Sequence, residues 1–260
     1  FRSITWRICA NSRIKVENPH WAIKPPSTRA VLLDLDGTML DTAPDLMAAL
    51  NTLREECGLP PVDEGHLRPV VSHGSAAMIQ RGFDLHPEAP KFPALRQRFL
   101  DIYRERVSHE TRAYPGMDDL LAELEARDVP WGVVTNKPGW LTEPLLDDLG
   151  YLERCACVVT GDTLPCRKPD PAPVRLACER IGLDPRECLM VGDAQRDVEA
   201  GRRAGTLTLV ALFGYIGAED RPTRWGADGL IGHPLEVLRW IDTDLRDRVP
   251  VDWAATGTEA

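Results

Sequence analysis

No run in this chain approaches the length of a membrane-spanning helix, and no cysteine–histidine pattern assembles a zinc set. The seven cysteines (Cys9, Cys57, Cys155, Cys157, Cys166, Cys178 and Cys188) are odd in number and scattered. Cys155-Ala156-Cys157 is their one close pair, and nothing completes it as a metal site. They are expected to be reduced thiols of a cytoplasmic protein. Positive charge is also scarce: 31 basic against 40 acidic side chains give a formal charge of −9. That excludes the broad basic face a nucleic-acid partner needs, but not a small phosphorylated ligand held by a few local cations. Internal repeats and low-complexity segments are missing too. The 43% hydrophobic and 27% charged content over 260 residues is that of a folded core with room for a smaller accessory domain.

Against that plain background one stretch stands out, "AVLLDLDGTMLDTAPDL", Ala30 to Leu46. Ala30-Val31-Leu32-Leu33 lacks polar alternation and reads as a strand buried on both faces of a parallel sheet. Asp34 and Asp36 follow at its end. Carboxylates about 5 Å apart there would repel by roughly 3 kcal/mol at an effective dielectric near 20. A divalent cation is the natural offset.

The rest of the chain alternates. "APDLMAALNTLREECG" has helical spacing and ends at Gly58. From there to about Arg112 no strand is expected, and "GSAAMIQRGF" and "PALRQRFLDIYRERV" read as helices. Beyond Tyr114-Pro115-Gly116, helices Met117–Arg127, Trp140–Leu149, Ala172–Ile181 and Arg196–Ala204 alternate with strands Val129–Thr135, Ala156–Thr160, Cys188–Val191 and the run "TLTLVALF". The expected fold class is α/β, a doubly wound, Rossmann-like parallel sheet with an inserted all-helical cap. Residues 30–43 and 112–242 would form the core and 44–111 the cap. The basic stretch 1–29 is expected to be a flexible extension, and 243–260 a frayed tail. In such sheets ligands sit beyond the carboxyl ends of the strands. There the sequence places Asp34-Leu35-Asp36-Gly37-Thr38, Thr135-Asn136-Lys137-Pro138 and Gly192-Asp193, with Asp197 a helical turn further on.

In order and spacing, "DLDGT", "VVTNKP", "RKPDP" and "VGDAQRD" resemble the four motifs of the haloacid dehalogenase superfamily, and most closely its phosphoglycolate phosphatase branch, which carries a helical cap after the first motif. The resemblance covers about Ala30 to Asp242. The chemistry it implies is phosphomonoester hydrolysis. Asp34 is placed to attack phosphorus, and Asp36 to protonate the leaving group and then activate water. Gly37 lets backbone approach phosphate closely. The resemblance further implies Mg²⁺ held by the Asp34 and Asp193 carboxylates and the Asp36 backbone carbonyl, since Mg²⁺ prefers few protein oxygens plus water and phosphate. Thr135 and the backbone of Asn136 are expected to hydrogen-bond phosphate. Lys168 would put a point charge on phosphate and on Asp34, and Asp197 would steady Asp193 or a metal-bound water.

Other polar residues receive plainer expectations. Asp41 and Asp45 read as acids favoured at a helix N-terminus. His73 is either a cap-surface histidine or a substrate contact, and Trp131, Trp140 and Trp225 read as packing. The implied substrate is a small phosphorylated metabolite. The branch suggests 2-phosphoglycolate, whereas Gly214–Leu238 together with "WGVVTNKP" resembles members acting on N-acetylmuramic acid 6-phosphate. A dehalogenase would need neither Asp36 nor a metal. A β-phosphoglucomutase-like phosphotransferase shares core and cap, and a non-catalytic binding protein on this fold would usually lose an acid from the set. The expected assembly is a monomer or homodimer.

Overall fold

A computed structural model of the chain describes residues 28–241. Most of the basic stretch 1–29 and all of the tail 243–260 lie outside the described residues. In chain order the elements are β1 (Ala30–Leu33), β2 (Leu40–Asp41), α1 (Ala43–Glu56), α2 (Glu64–Leu67), α3 (Gly74–Phe83), α4 (Phe92–Arg104) and β3 (Arg112–Ala113). There follow α5 (Met117–Ala126), β4 (Trp131–Val134), α6 (Gly139–Asp148), β5 (Cys157–Val159), α7 (Ala172–Ile181) and β6 (Cys188–Gly192). The chain then forms α8 (Gln195–Ala204), β7 (Leu207–Ala211), β8 (Gly229–Ile231) and α9 (Leu238–Ile241).

Six strands form one parallel sheet in the order β5-β4-β1-β6-β7-β8. The period-two alternation of a strand explains why β1 shows no polar face. Val31 and Leu33 join the cluster that includes Leu120, Leu124, Leu141 and Leu145 of α5 and α6. Ala30 and Leu32 join Val174, Ala177 and Ala200 of α7 and α8 on the other side. The sheet is thus doubly wound, as expected. β1 lies in the interior of the sheet between β4 and β6, so the tips of these three strands sit side by side.

The start of β4 differs from expectation for a local reason. Asp128 has φ +55°, and the Val129 amide donates to the Leu124 carbonyl. Val129 therefore finishes the end of α5, and β4 starts at Trp131 after Pro130. β2, β3 and β8 were not expected at all, because two or three residues carry no period to read. β2 and β3 pair antiparallel, Leu40 with Ala113 and Asp41 with Arg112. The chain leaving the sheet for the helical insert is thereby stitched to the chain returning from it.

Asp45 belongs to that stitch. It stands in the first turn of α1, as expected, and it is fully buried. Its Oδ2 accepts from the Glu110 amide at 2.9 Å, the Thr111 amide at 2.8 Å and the Thr111 hydroxyl at 2.9 Å. Asp45→Ala would strand buried donors. We expect it to lower stability by about 3 kcal/mol, read as a fall in urea midpoint at unchanged slope. A change under about 0.5 kcal/mol would mean that the carboxylate is dispensable to the stitch. No helix among the described residues is long and apolar enough to cross a membrane.

Candidate active site

The tips of β1, β4 and β6 bring Asp34, Thr135 and Asp193 to one edge of the sheet, each one residue past its strand. One carboxylate oxygen from each of Asp34, Asp193 and Asp197 lies within 4.8 Å of the others. All three residues are buried, at 2%, 2% and 0% exposure. Asp34 Oδ1 accepts from the Leu35 amide at 2.8 Å and pairs with Lys168 Nζ at 2.9 Å. Its Oδ2 lies 3.8 Å from Arg196. Burial first, and then the charge of Asp197, push the Asp34 carboxyl up to about 6, although Lys168 and Arg196 pull the other way. Asp193 is pushed up to about 7 by burial, then by Asp34 and Asp197.

Asp193 is also clamped. Its Oδ2 accepts from Ser72 Oγ at 2.6 Å and from the Tyr215 amide at 2.9 Å. Its Oδ1 is buried with no hydrogen-bond partner. An orphaned carboxylate oxygen beside two further buried acids is costly unless a cation completes it. The donor set, all oxygen and hard, fits a divalent ion such as Mg²⁺. Space is tight on one side. Gly37 has φ +86°, and a Cβ there would fall 2.1 Å from Asp193 Oδ2. A Cβ on Gly214 would fall 2.2 Å from the Gly37 carbonyl. Only glycines let these two loops close around Asp193.

Lys168 is completely enclosed, its ammonium touching Asp34, Asp197 Oδ1 at 2.8 Å and the Val134 carbonyl at 2.5 Å. Asp197 is held at the start of α8, where its Oδ2 accepts from the Ala194 amide at 3.0 Å. Its partners are thus Lys168 and the helix start; no hydrogen bond joins it to Asp193 among the described residues. Asn136 uses its side chain twice on the Lys168 backbone, donating to its carbonyl at 2.9 Å and accepting from its amide at 3.0 Å. It fixes the lysine loop. The Thr135 hydroxyl accepts from the Lys137 amide at 3.1 Å, which leaves its own proton to donate.

Several residues join the site that the sequence reading had not singled out. Lys137, buried, donates to Asp36 Oδ1 at 2.9 Å and to the Tyr103 hydroxyl of α4 at 2.7 Å. Burial alone would lower its pKa, but Asp36 and Tyr103 outweigh that and keep the ammonium charged. Thr42 Oγ1 donates to the same Asp36 oxygen at 2.6 Å. Tyr215 spans the site and the stitch: its hydroxyl donates to Asp41 Oδ1 at 2.7 Å and accepts from the Ala43 amide at 2.9 Å. Asp41 accepts from the Ala43 amide at 3.3 Å at the start of α1, as an N-terminal acid would, and also pairs with Arg68 at 2.5 Å. Lys137 lies in "TNKP" and Arg196 in "GDAQRD", inside motifs already quoted. Ser72 left no signal, because it reaches Asp193 across 121 positions of sequence.

A cleft of about 510 Å³ opens over Asp34, Asp36, Thr135 and Asn136, roofed by Ser72–Ala76 and by α4. His73 lines it; burial, then Arg196, lower its pKa. Trp131 is packed, at 1% exposure, with its Nε1 donating to Glu125, and Trp225 is packed as well. Trp140 is not: at 37% exposure it lies on the cleft wall, with Arg104 over its ring, 5.8 Å from the centroid.

Known proteins resemble this chain in sequence and in fold. Residues 31–211 match the Haloacid dehalogenase-like hydrolase family. The chain is 47% identical to the N-acetylmuramic acid 6-phosphate phosphatase of Pseudomonas aeruginosa over 219 residues, which are 84% of this chain and 97% of that protein. It is 44% identical to the phosphoglycolate phosphatase of Xanthomonas campestris pv. campestris, over 80% of this chain and 94% of the relative. A crystal structure described as a predicted phosphoglycolate phosphatase from Haemophilus somnus superposes with a TM-score of 0.73 at 27% identity, covering 82% of this chain and 97% of the other. With its sheet order, its buried acidic cluster and these relatives in agreement, the chain belongs to the haloacid dehalogenase-like hydrolase family.

Proposed function

We infer that this chain is an Mg²⁺-dependent phosphatase that passes the phosphoryl group of a small phosphorylated metabolite first to Asp34 and then to water. The observation that carries the reading is the convergence of Asp34, Asp193 and Asp197 within 4.8 Å, with Asp193 Oδ1 left unpartnered. Asp34, Asp193 and the Asp36 carbonyl would hold the ion, which when bound offsets the clustered negative charge and orients the phosphate.

The protein's own groups account for the proton and bond changes. Asp34 is anchored through Oδ1, so Oδ2 is the attacking atom. As its bond to phosphorus forms, the ester P–O bond breaks and the leaving oxygen takes a proton from Asp36. Lys137 and Thr42 both occupy Asp36 Oδ1, which assigns the transferred proton to Oδ2. Asp36, now ionised, takes a proton from water. The water oxygen bonds phosphorus, the bond to Asp34 breaks, and inorganic phosphate leaves. The Thr135 hydroxyl can donate to a phosphoryl oxygen. The roof over the cleft limits water during the first transfer.

For the substrate we favour N-acetylmuramic acid 6-phosphate. The relative named for it is the more similar of the two compared. A cleft of about 510 Å³ with an exposed tryptophan on its wall suits a sugar, whereas 2-phosphoglycolate, two carbons and a phosphate, would leave most of it to water. Phosphate release from a panel of N-acetylmuramic acid 6-phosphate, 2-phosphoglycolate and hexose phosphates tests this. We expect the highest kcat/KM for the first. A preference for 2-phosphoglycolate would reverse the assignment, and an isomeric sugar phosphate formed without free phosphate would make the enzyme a phosphotransferase.

A further inference from the structure

Among the described residues Lys168, Lys137 and Arg196 face carboxylates of the site, and the two lysines are held closely by the protein itself. The Lys168 ammonium donates to the Val134 carbonyl at 2.5 Å and is ion-paired with Asp34 Oδ1 and Asp197 Oδ1 at 2.9 and 2.8 Å. Lys137 is engaged by Asp36 and Tyr103 at 2.9 and 2.7 Å. Arg196 differs. Its nearest carboxylate oxygens, Asp34 Oδ2 and Asp197 Oδ1, stand at 3.8 and 4.0 Å, too far for hydrogen bonds. Its Nε is buried with no hydrogen-bond partner, while the side chain as a whole is 20% exposed. It lines both the main cleft and an adjoining cavity of about 250 Å³.

We propose that Arg196 is the side chain that grips the transferring phosphoryl group, its guanidinium fork taking two anionic oxygens beside Asp34 Oδ2. The inference rests on the phosphatase reading and adds Arg196 to Lys168 as a charge directed at the substrate. A planar fork matches phosphate in a way a point charge does not. Asp34 and Asp197 already have Lys168 as counter-ion at hydrogen-bond distance, so neutralising them does not require Arg196. Standing 3.8 Å from Oδ2, it also lessens the repulsion between an anionic nucleophile and an anionic phosphate.

The test compares the full chain with Arg196→Ala and Arg196→Lys in Mg²⁺, reading kcat, KM, the inhibition constant of inorganic phosphate and the melting temperature. Losing a charged, paired donor should weaken phosphate inhibition in Arg196→Ala by at least about tenfold and lower kcat/KM further. Free guanidinium should restore part of the loss, and Arg196→Lys should fall between. Unchanged phosphate inhibition in Arg196→Ala would overturn the proposal. So would weakened inhibition that neither guanidinium nor lysine restores, with a lowered melting temperature, because that marks a structural role. Calorimetric binding of inorganic phosphate separates this from the broader reading. A wild-type chain that binds phosphate through Arg196 yet hydrolyses no ester would refute the phosphatase and leave the phosphate grip standing.

Discussion

Asp34→Asn is expected to lower phosphate release by more than about a thousandfold while leaving the fold intact. The substitution suits its purpose because the two carboxylate oxygens have separate jobs. Oδ1 accepts from the Leu35 amide and from Lys168, and the amide oxygen of Asn can keep both contacts. Oδ2, the oxygen nearest Arg196, becomes an NH₂ group with no nucleophilic lone pair. Replacing a buried anion crowded by Asp197 also removes the repulsion that raises its pKa, so the melting temperature without metal should hold or rise. A variant retaining more than about a thousandth of the wild-type rate would favour direct attack by a base-activated water. A collapsed melting temperature would show instead that the charge on Asp34 is structural.

The second large effect concerns the ion and pH together. A chelator should lower turnover by about a thousandfold, equivalent to about 4 kcal/mol of transition-state stabilisation, and added Mg²⁺ should restore it. Stability supplies a readout free of turnover. Asp34 and Asp193 are pushed from the ordinary 3.8 to about 6 and about 7, so the folded chain binds more protons than the unfolded chain between those limits. Without metal, the melting temperature should therefore rise as pH falls from about 8 to about 5. Protonation relieves the buried charges, and the gain levels off once the unfolded carboxyls also protonate. Asp184, held at about 2 by Arg186, titrates below this window. Protons and Mg²⁺ would compete for the same oxygens, so the ion should stabilise strongly at about pH 8 and weakly at about pH 5. Equal stabilisation by Mg²⁺ at both pH values would place the ion elsewhere.

The core was readable because a doubly buried parallel strand has no other appearance: Ala30–Leu33 and Cys188–Val191 carry unbroken apolar runs, and the acids follow at their ends. Asp34, Thr135, Lys168, Asp193 and Asp197 could be gathered from sequence since each stands within a few residues of a strand tip or in a quoted motif. Partners chosen across the fold were not readable. Ser72 meets Asp193 and Tyr103 meets Lys137 only after the helical insert has docked, Tyr215 reaches Asp41 from beyond β7, and no local period announces such contacts. Asp45 does stand in the first turn of α1, but its bonds to Glu110 and Thr111 were hidden for the same reason, since those partners arrive on the returning chain. Trp140 was misread, an aromatic assigned to packing that the fold leaves open on the cleft wall.

The antiparallel pairing of β2 with β3, reinforced by Asp45, has an evolutionary corollary. Because both crossings are bound together at their root, whatever lies between them can lengthen, shorten or change its surface while the strand tips stay in place. The fold therefore roots the helical insert apart from the strand tips that carry Asp34, Thr135 and Asp193. Diversification of substrate within such a lineage would be written mainly between Ala43 and Arg112.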